Sequence, residues 1–408
     1  MRIAIANWSS RLVGGVEHYI SAILETLLDR GHELAFWRQT HGPENRNVIP
    51  AAVRIPIWDS SELGLDRSLA ALRRWQPDII YCQLIPDPAT EAKILEVAPS
   101  VFFAHDYHGT CISGGKATHF PVLQPCTRRF GPACLGHFYL RRCGGKNPIT
   151  MVQDYRLNVQ RLRLLTQYNQ VITHSIHLAE EYKKHGIPCG RVRFFASGSK
   201  LQEGFTAPPW TPRPRWHFLM LGRMLATKGG SLFLNSLPRI ASQTSRPIAV
   251  TIAGDGPSRA RWESKAKRVE RQCSNVEIKF PGWLSGIERE DALSDADLLV
   301  LPSVWPEPFG MVGLEAGLRG VPAAGFRVGG IPDWLNDGVN GALAPANPPS
   351  PEGLADAILR CISTESAYRT LRDAAFGMAK SVNVQLHCDD LVDVFERVLA
   401  KSATVSAT

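Results

Sequence analysis

The stretch that decides the fold reads Leu298-Leu299-Val300-Leu301-Pro302-Ser303-Val304-Trp305-Pro306-Glu307-Pro308-Phe309-Gly310-Met311-Val312-Gly313-Leu314-Glu315-Ala316. Its four leading aliphatic residues predict a strand buried on both faces. Pro302, Pro306 and Pro308 then impose a loop, and a helix is expected to open near Phe309-Gly310. The open N–H groups of a first helical turn, at the positive end of the helix dipole, make a site for an anion. Gly310 lets backbone approach a phosphate closely. Helical side chains lean toward the N-terminus, so Glu315 points back to the helix entrance, and Glu307 stands just before it. Carboxylates beside an anion site do not bind the anion; they accept hydrogen bonds from sugar hydroxyls. On spacing alone the two also fit a glutamate complementing the dipole and a solvated helix glutamate.

Outward from this stretch the same strand, loop and helix alternation recurs. Strands are expected at 2–6, 78–82, 100–104 and 170–173, and again at 216–221, 248–253, 276–280, 297–301 and 321–325. After Gly14-Gly15, the residues Ile20, Ile23, Leu24, Leu27 and Leu28 keep helical spacing until Gly31 stops them. Leu391, Val394, Phe395, Val398 and Leu399 form the stripe of a last helix, and 401–408 read as a disordered tail. This βαβ rhythm implies α/β architecture with parallel sheets covered by helices on both faces. Pro208, Pro209, Pro212 and Pro214 mark a linker over 205–216. The expectation is two Rossmann-like halves with a ligand in the cleft between them.

Length and composition agree. The 408 residues suit two domains at about 150 residues each. With 44% hydrophobic and 21% charged residues, the chain has apolar surface enough for two cores. The 46 Lys and Arg against 38 Asp and Glu give a net charge of +8, a mild lean toward anionic ligands. Apolar runs such as 298–301 are far short of the roughly 18 residues that span a bilayer. Residues 1–6 break at Asn7 before a signal-peptide core forms. A cytoplasmic protein is expected, free or peripheral at the inner membrane face, with its nine cysteines reduced.

Other segments add chemistry. Arg223 and Lys228, in the loop after a strand, would face the cleft mouth and hold a diphosphate, or else stay solvated. Gly254-Asp255-Gly256-Pro257 reads as a tight turn with close ligand approach; Arg259 occupies the third-glycine place of a dinucleotide fingerprint. Gly15 opens a helix. His105, at a strand end, either hydrogen-bonds a sugar hydroxyl or is structural. Asp295 and Asp297 match a divalent-metal pattern but read as a solvated boundary between a helix end and a strand.

Together and in this order, Gly14-Gly15-Val16-Glu17, His105-Asp106, Gly222-Arg223 with Lys228-Gly229, Gly254-Asp255-Gly256-Pro257 and Glu307 spaced from Glu315 resemble the GT-B-fold, family 4 (glycogen-synthase-like) retaining glycosyltransferases. The resemblance implies an acceptor-binding domain at 1–207, a nucleotide-sugar-binding domain at 216–383, and a helix at 384–400 crossing back to the first domain. It implies that Arg223 and Lys228 hold the donor diphosphate, with the amides of Phe309, Gly310, Met311 and Val312 on its other side. Glu315 would bind ribose and Glu307 the transferred sugar. Gly254 would border the donor, and Trp283-Leu284 would lie by the nucleobase. His105 would contact the sugar, and Gly15 the phosphate and acceptor. The Asn-Gly-Val-Asp-like turn usual in the family is replaced by Ser197-Gly198-Ser199-Lys200. The implied reaction moves a hexosyl unit from a nucleotide sugar to a glycan, lipid-linked or other cell-surface acceptor. It needs no metal, since fixed cations meet the leaving diphosphate. A catalytically silent sugar- or membrane-binding scaffold, or an epimerase of the same fold, is the alternative.

Residues 107–150 form an insertion. Cys111, Cys126, Cys134 and Cys143, with gaps of 14, 7 and 8 residues, are interspersed with His108, His119 and His137. They suit a structural zinc site or four free thiols, and no Cys-x2-Cys pair decides between them. From 116 to 163 there are nine cations and one acid, Asp154. The expected partner of that face is an anionic membrane surface or a phosphate-bearing acceptor, unless it is only solvated. No nucleic-acid-binding module is present, so nucleic acid is not expected.

Overall fold

The apolar runs become the central strands of two parallel sheets in a computed structural model that describes residues 1–12, 14–40, 47–50, 53–195, 206 and 209–406. The first half carries β1 (Arg2–Ser9), β2 (Glu33–Thr40), β3 (Ile57–Asp59), β4 (Ile79–Cys82), β5 (Ser100–Phe103), the hairpin strands β6 (Ala117–Thr118) and β7 (Gln124–Pro125), β8 (Gln170–Thr173) and β9 (Cys189–Arg191). The second half carries β10 (Trp216–Leu221), β11 (Ile248–Ala253), β12 (Val276–Gly282), β13 (Leu298–Leu301), β14 (Ala323–Phe326) and β15 (Gly341–Ala344). Among the described residues the sheet orders are β3-β2-β1-β4-β5-β8-β9 and β12-β11-β10-β13-β14-β15. The pairings within both sheets are parallel. The protein thus has two Rossmann-like domains.

Strand order reverses beside the first strand of each sheet. β1 lies between β2 and β4, and β10 between β11 and β13. At such a switch point the loops leave in opposite directions and open a crevice beyond the strand ends. Helix Gly15–Asp29 follows β1 and buries Tyr19, Ile20, Ile23, Leu24 and Leu27. Gly31, at φ +80°, carries the chain out of it, and its amide donates to Leu28 O at 2.9 Å.

The last helix, Val384–Ser406, packs on the first domain. Phe395 is fully buried and meets the Tyr81 ring edge-on at 5.2 Å. His387 Nε2 lies 2.8 Å from Tyr19 Oη, and Arg193 grips both oxygens of Asp390. The helix runs on through Ser406, so a tail from 401 is not what this segment forms: the apolar stripe ends near 399 but nothing breaks the helix there.

Two further expectations change. The linker is anchored: Trp210 packs on Tyr368 at 4.6 Å and donates its indole N–H to Asp297 Oδ1 at 2.9 Å. Asp297 is therefore fully buried rather than solvated. Its second oxygen accepts the His217 amide at 2.9 Å, which ties the linker to β10. Asp295 stays exposed, so the two carboxylates do not share a site. The turn Ser197-Gly198-Ser199-Lys200 lies outside the described residues. Between β5 and β8 the insertion folds as the β6–β7 hairpin, helix Ala133–Leu140 and helix Pro148–Leu165. No helix among the described residues is long and apolar enough to cross a membrane.

Candidate active site

The residues following β1, β5 and β8, namely Gly15, His105 and His174, line one side of a cavity of about 470 Å³. Lys228, Ser303, Glu307 and residues 309–312, from the loops after β10 and β13, line the other. A Cβ on Gly15 would sit 3.1 Å from Met311 Cε, so the two helix entrances face each other at close range.

The loops after β10 and β13 are locked together. Thr227 O accepts the amides of Val304 at 2.8 Å and Trp305 at 3.0 Å. Gly229, at φ +71°, packs so closely on Pro302 that a Cβ would lie 1.7 Å from its carbonyl oxygen. This fixes Lys228 Nζ 2.5 Å from Glu307 Oε1 and 4.8 Å from the centre of the Trp305 ring. Ser303 Oγ donates to the same carboxylate oxygen at 2.5 Å. Glu307 is only 8% exposed, and without these partners its charge would be costly to bury. Its carbonyl accepts the Gly330 amide at 2.7 Å, and at Gly329, φ +55°, a Cβ would lie 2.1 Å from that same oxygen.

The first domain reaches the same loop. Tyr107 Oη donates to Pro306 O at 2.5 Å and contacts His177 Nε2 at 2.9 Å. The Ile176 amide donates to Asp333 Oδ2 at 2.6 Å, and Phe194 packs on Phe309 at 4.5 Å. His105 Nε2 lies 2.6 Å from Gln83 Oε1. Burial, and then the nearby His387, push the His105 pKa down to about 3. Burial with His105 and His387 lowers His174 as well. Both rings are neutral at neutral pH, so they suit hydroxyls, whereas Lys228 supplies positive charge.

Two family descriptions match this chain: "Glycosyltransferase Family 4" over residues 13–202 and "Glycosyl transferases group 1" over 215–364. The chain belongs to the family 4 glycosyltransferases. An uncharacterized glycosyltransferase of Methanocaldococcus jannaschii is 25% identical to it over 378 residues, 86% of this chain and 87% of that protein. Glycogen synthase of Mycobacterium tuberculosis is 31% identical over 181 residues, 43% of this chain and 42% of that enzyme. HepE of Anabaena, crystallised in complex with UDP, superposes with a TM-score of 0.66 at 18% identity, covering 97% of this chain and 100% of that one. The transferase therefore has the GT-B fold.

Within the transferase the expected site residues divide. Gly15, His105, Lys228, Glu307, Phe309, Gly310, Met311 and Val312 line the cavity. Arg223 and Trp283 are exposed, Leu284 is half-buried, and none of them lines it. Gly254, at φ +131°, also lies outside the lining; a Cβ there would fall 2.0 Å from Gly222 O, so its turn is fastened to the Arg223 loop. Glu315 is buried and paired with Arg289, with His18 of the first domain in electrostatic reach. The helix opens later than expected, as Val312–Gly317, because Gly310 at φ +87° cannot be helical. Among the described residues no three His, Cys, Asp or Glu side chains are placed to hold a metal ion. A single structural zinc at Cys111, Cys126, Cys134 and Cys143 thus does not fit this geometry. Arg289, Gly329, Tyr107 and the role of Ser303 escaped the sequence reading. Ser303 acts on Glu307, only four residues on, whereas the other three act through partners more remote in sequence, and of those only the glycine pair 329–330 carries a local signal.

Proposed function

We propose that the protein is a retaining hexosyltransferase that takes its sugar from a nucleotide-diphosphate donor bound in the cleft. The observation that carries this is the Lys228–Glu307 pair, set with Ser303 opposite His105. Lys228 is the cation for the donor diphosphate, joined by Arg223 at the mouth and by the amides of the 310–312 turn. Engagement of Lys228 by phosphate frees Glu307 to accept hydrogen bonds from the sugar, while neutral His105 meets another of its hydroxyls. Glu315, held by Arg289, takes the ribose hydroxyls, and Trp283-Leu284 border the base. That HepE was crystallised with UDP supports a nucleotide donor.

In the reaction the bond from C1 to the phosphate oxygen breaks, and its electron pair leaves with the diphosphate. The acceptor hydroxyl oxygen bonds to C1 from the same face, and its proton passes to the departing phosphate. Lys228 and the turn amides meet the leaving charge, so added divalent metal is not needed. The acceptor, a glycan or lipid-linked sugar, approaches past Gly15 on the first domain, whose basic insertion suits an anionic membrane face or a phosphate-bearing acceptor. Proton NMR of the glycosidic bond formed with the active donor tests the mechanism. The anomeric configuration is expected to match that of the donor; inversion would overturn it.

A further inference from the structure

The four cysteines of the insertion, spread over 33 residues of sequence from Cys111 to Cys143, face a single cavity. It measures about 230 Å³ and shares no residue with the catalytic cleft. All nine cysteines of the chain are free thiols, so no disulfide links these four. A tetrahedral zinc ion at about 2.3 Å from each sulfur would hold the sulfurs about 3.8 Å apart. No such single-ion grouping exists here, yet all four thiols border one space.

We propose that Cys111, Cys126, Cys134 and Cys143 ligate an iron–sulfur cluster of the four-iron kind in this cavity. Such a cluster is held by four cysteine thiolates that stand around a cube rather than around a point. Two buried polar atoms that line the cavity, Thr118 Oγ1 and His137 Nδ1, have no hydrogen-bond partner. Both are side-chain groups able to donate to a cluster sulfur. The Lys116 amide already donates to Cys111 Sγ at 3.4 Å, the kind of contact that stabilises thiolate bound to iron. A cluster with four thiolates is an anion overall. Arg128 and Arg141 line the cavity, and no Asp or Glu occurs between Asp106 and Asp154.

The insertion's own core is small: Ile112, Phe130 and Phe138, with Leu135, Met151, Tyr155, Val159 and Leu162 partly buried against them. Metal binding would add folding free energy to it and displace the thiol protons. Its effect would reach the cleft through Tyr107, at the root of the insertion, whose hydroxyl holds Pro306 next to Glu307.

The test is metal analysis of the full chain purified under argon, as isolated and after incubation with ferric iron, sulfide and a thiol reductant, which reduces half of the iron as the cluster assembles. The cluster predicts about four iron and four sulfide per chain, with visible absorbance that dithionite bleaches. The double variant Cys126→Ser/Cys134→Ser is expected to lose both iron and absorbance, while Cys273→Ser, outside the cavity, keeps them. About one zinc ion per chain without iron would overturn the cluster. So would absence of metal after both treatments, or equal iron in the double variant.

Discussion

At the residue scale, the proposed function rests on how Lys228 and Glu307 are held. Each neutralises the other in a site where neither charge would be comfortable alone, and Gly229 and Gly329 bring their loops to that distance. Lys228→Ala is therefore expected to cut turnover about 10²- to 10³-fold, the usual cost of one stabilising group at a developing charge. Steady-state kinetics with the chain still folded by circular dichroism checks this; near wild-type turnover would remove Lys228 from the site. Glu307, between a strand and a helix, and Glu315, inside that helix, were legible as candidates from their spacing. Arg289, which pairs with Glu315, was not, because a charge on a distant helix carries no mark of the partner it folds onto. Nor did spacing reveal that Asp297 would be buried by Trp210, 87 residues earlier.

At the element scale, the last helix is as much a part of the first domain as of its own. His387 sits fully buried between Tyr19 and the Arg193 carbonyl, and burial pushes its pKa down to about 4. With His105 near 3 and His174 also lowered, the folded state refuses protons that the unfolded chain accepts below about 6.5. Stability is thus complete above that pH and falls as pH drops toward 4, by about 1.4 kcal/mol per pH unit for each histidine. Asp59 and Asp390, whose pKa values are lowered below the ordinary carboxylate value, contribute their losses only at lower pH. Thermal melts between pH 7 and 4.5 should show falling midpoints, with a shallower slope for His387→Gln; a flat profile would contradict the buried neutral cluster. The stripe of this helix and the β-branched strands were readable from periodicity. β3 and β9, three residues each, are too short to have a period, and β2 begins and ends in polar residues that mask its buried middle.

At the scale of the whole molecule, two parallel sheets place their switch points face to face, and the cleft is what that arrangement leaves open. Contacts from Tyr107, Ile176 and Phe194 join the domains beside it. The two-domain plan followed from the repeated strand and helix rhythm. The cavity in the insertion did not, because cysteines separated by 14, 7 and 8 intervening residues show no pairing until the hairpin and the short helix bring them together. The central claim is that the cleft holds a nucleotide sugar by its diphosphate against Lys228. A thermal-shift screen of UDP, GDP and ADP sugars against the wild type and Lys228→Ala tests it most directly. A donor at 100 times its dissociation constant adds about 2.7 kcal/mol of stability. One nucleotide series is predicted to raise the wild-type midpoint and to leave that of Lys228→Ala largely unmoved from its own baseline. No shift with any donor, or an equal shift in the variant, would contradict the claim.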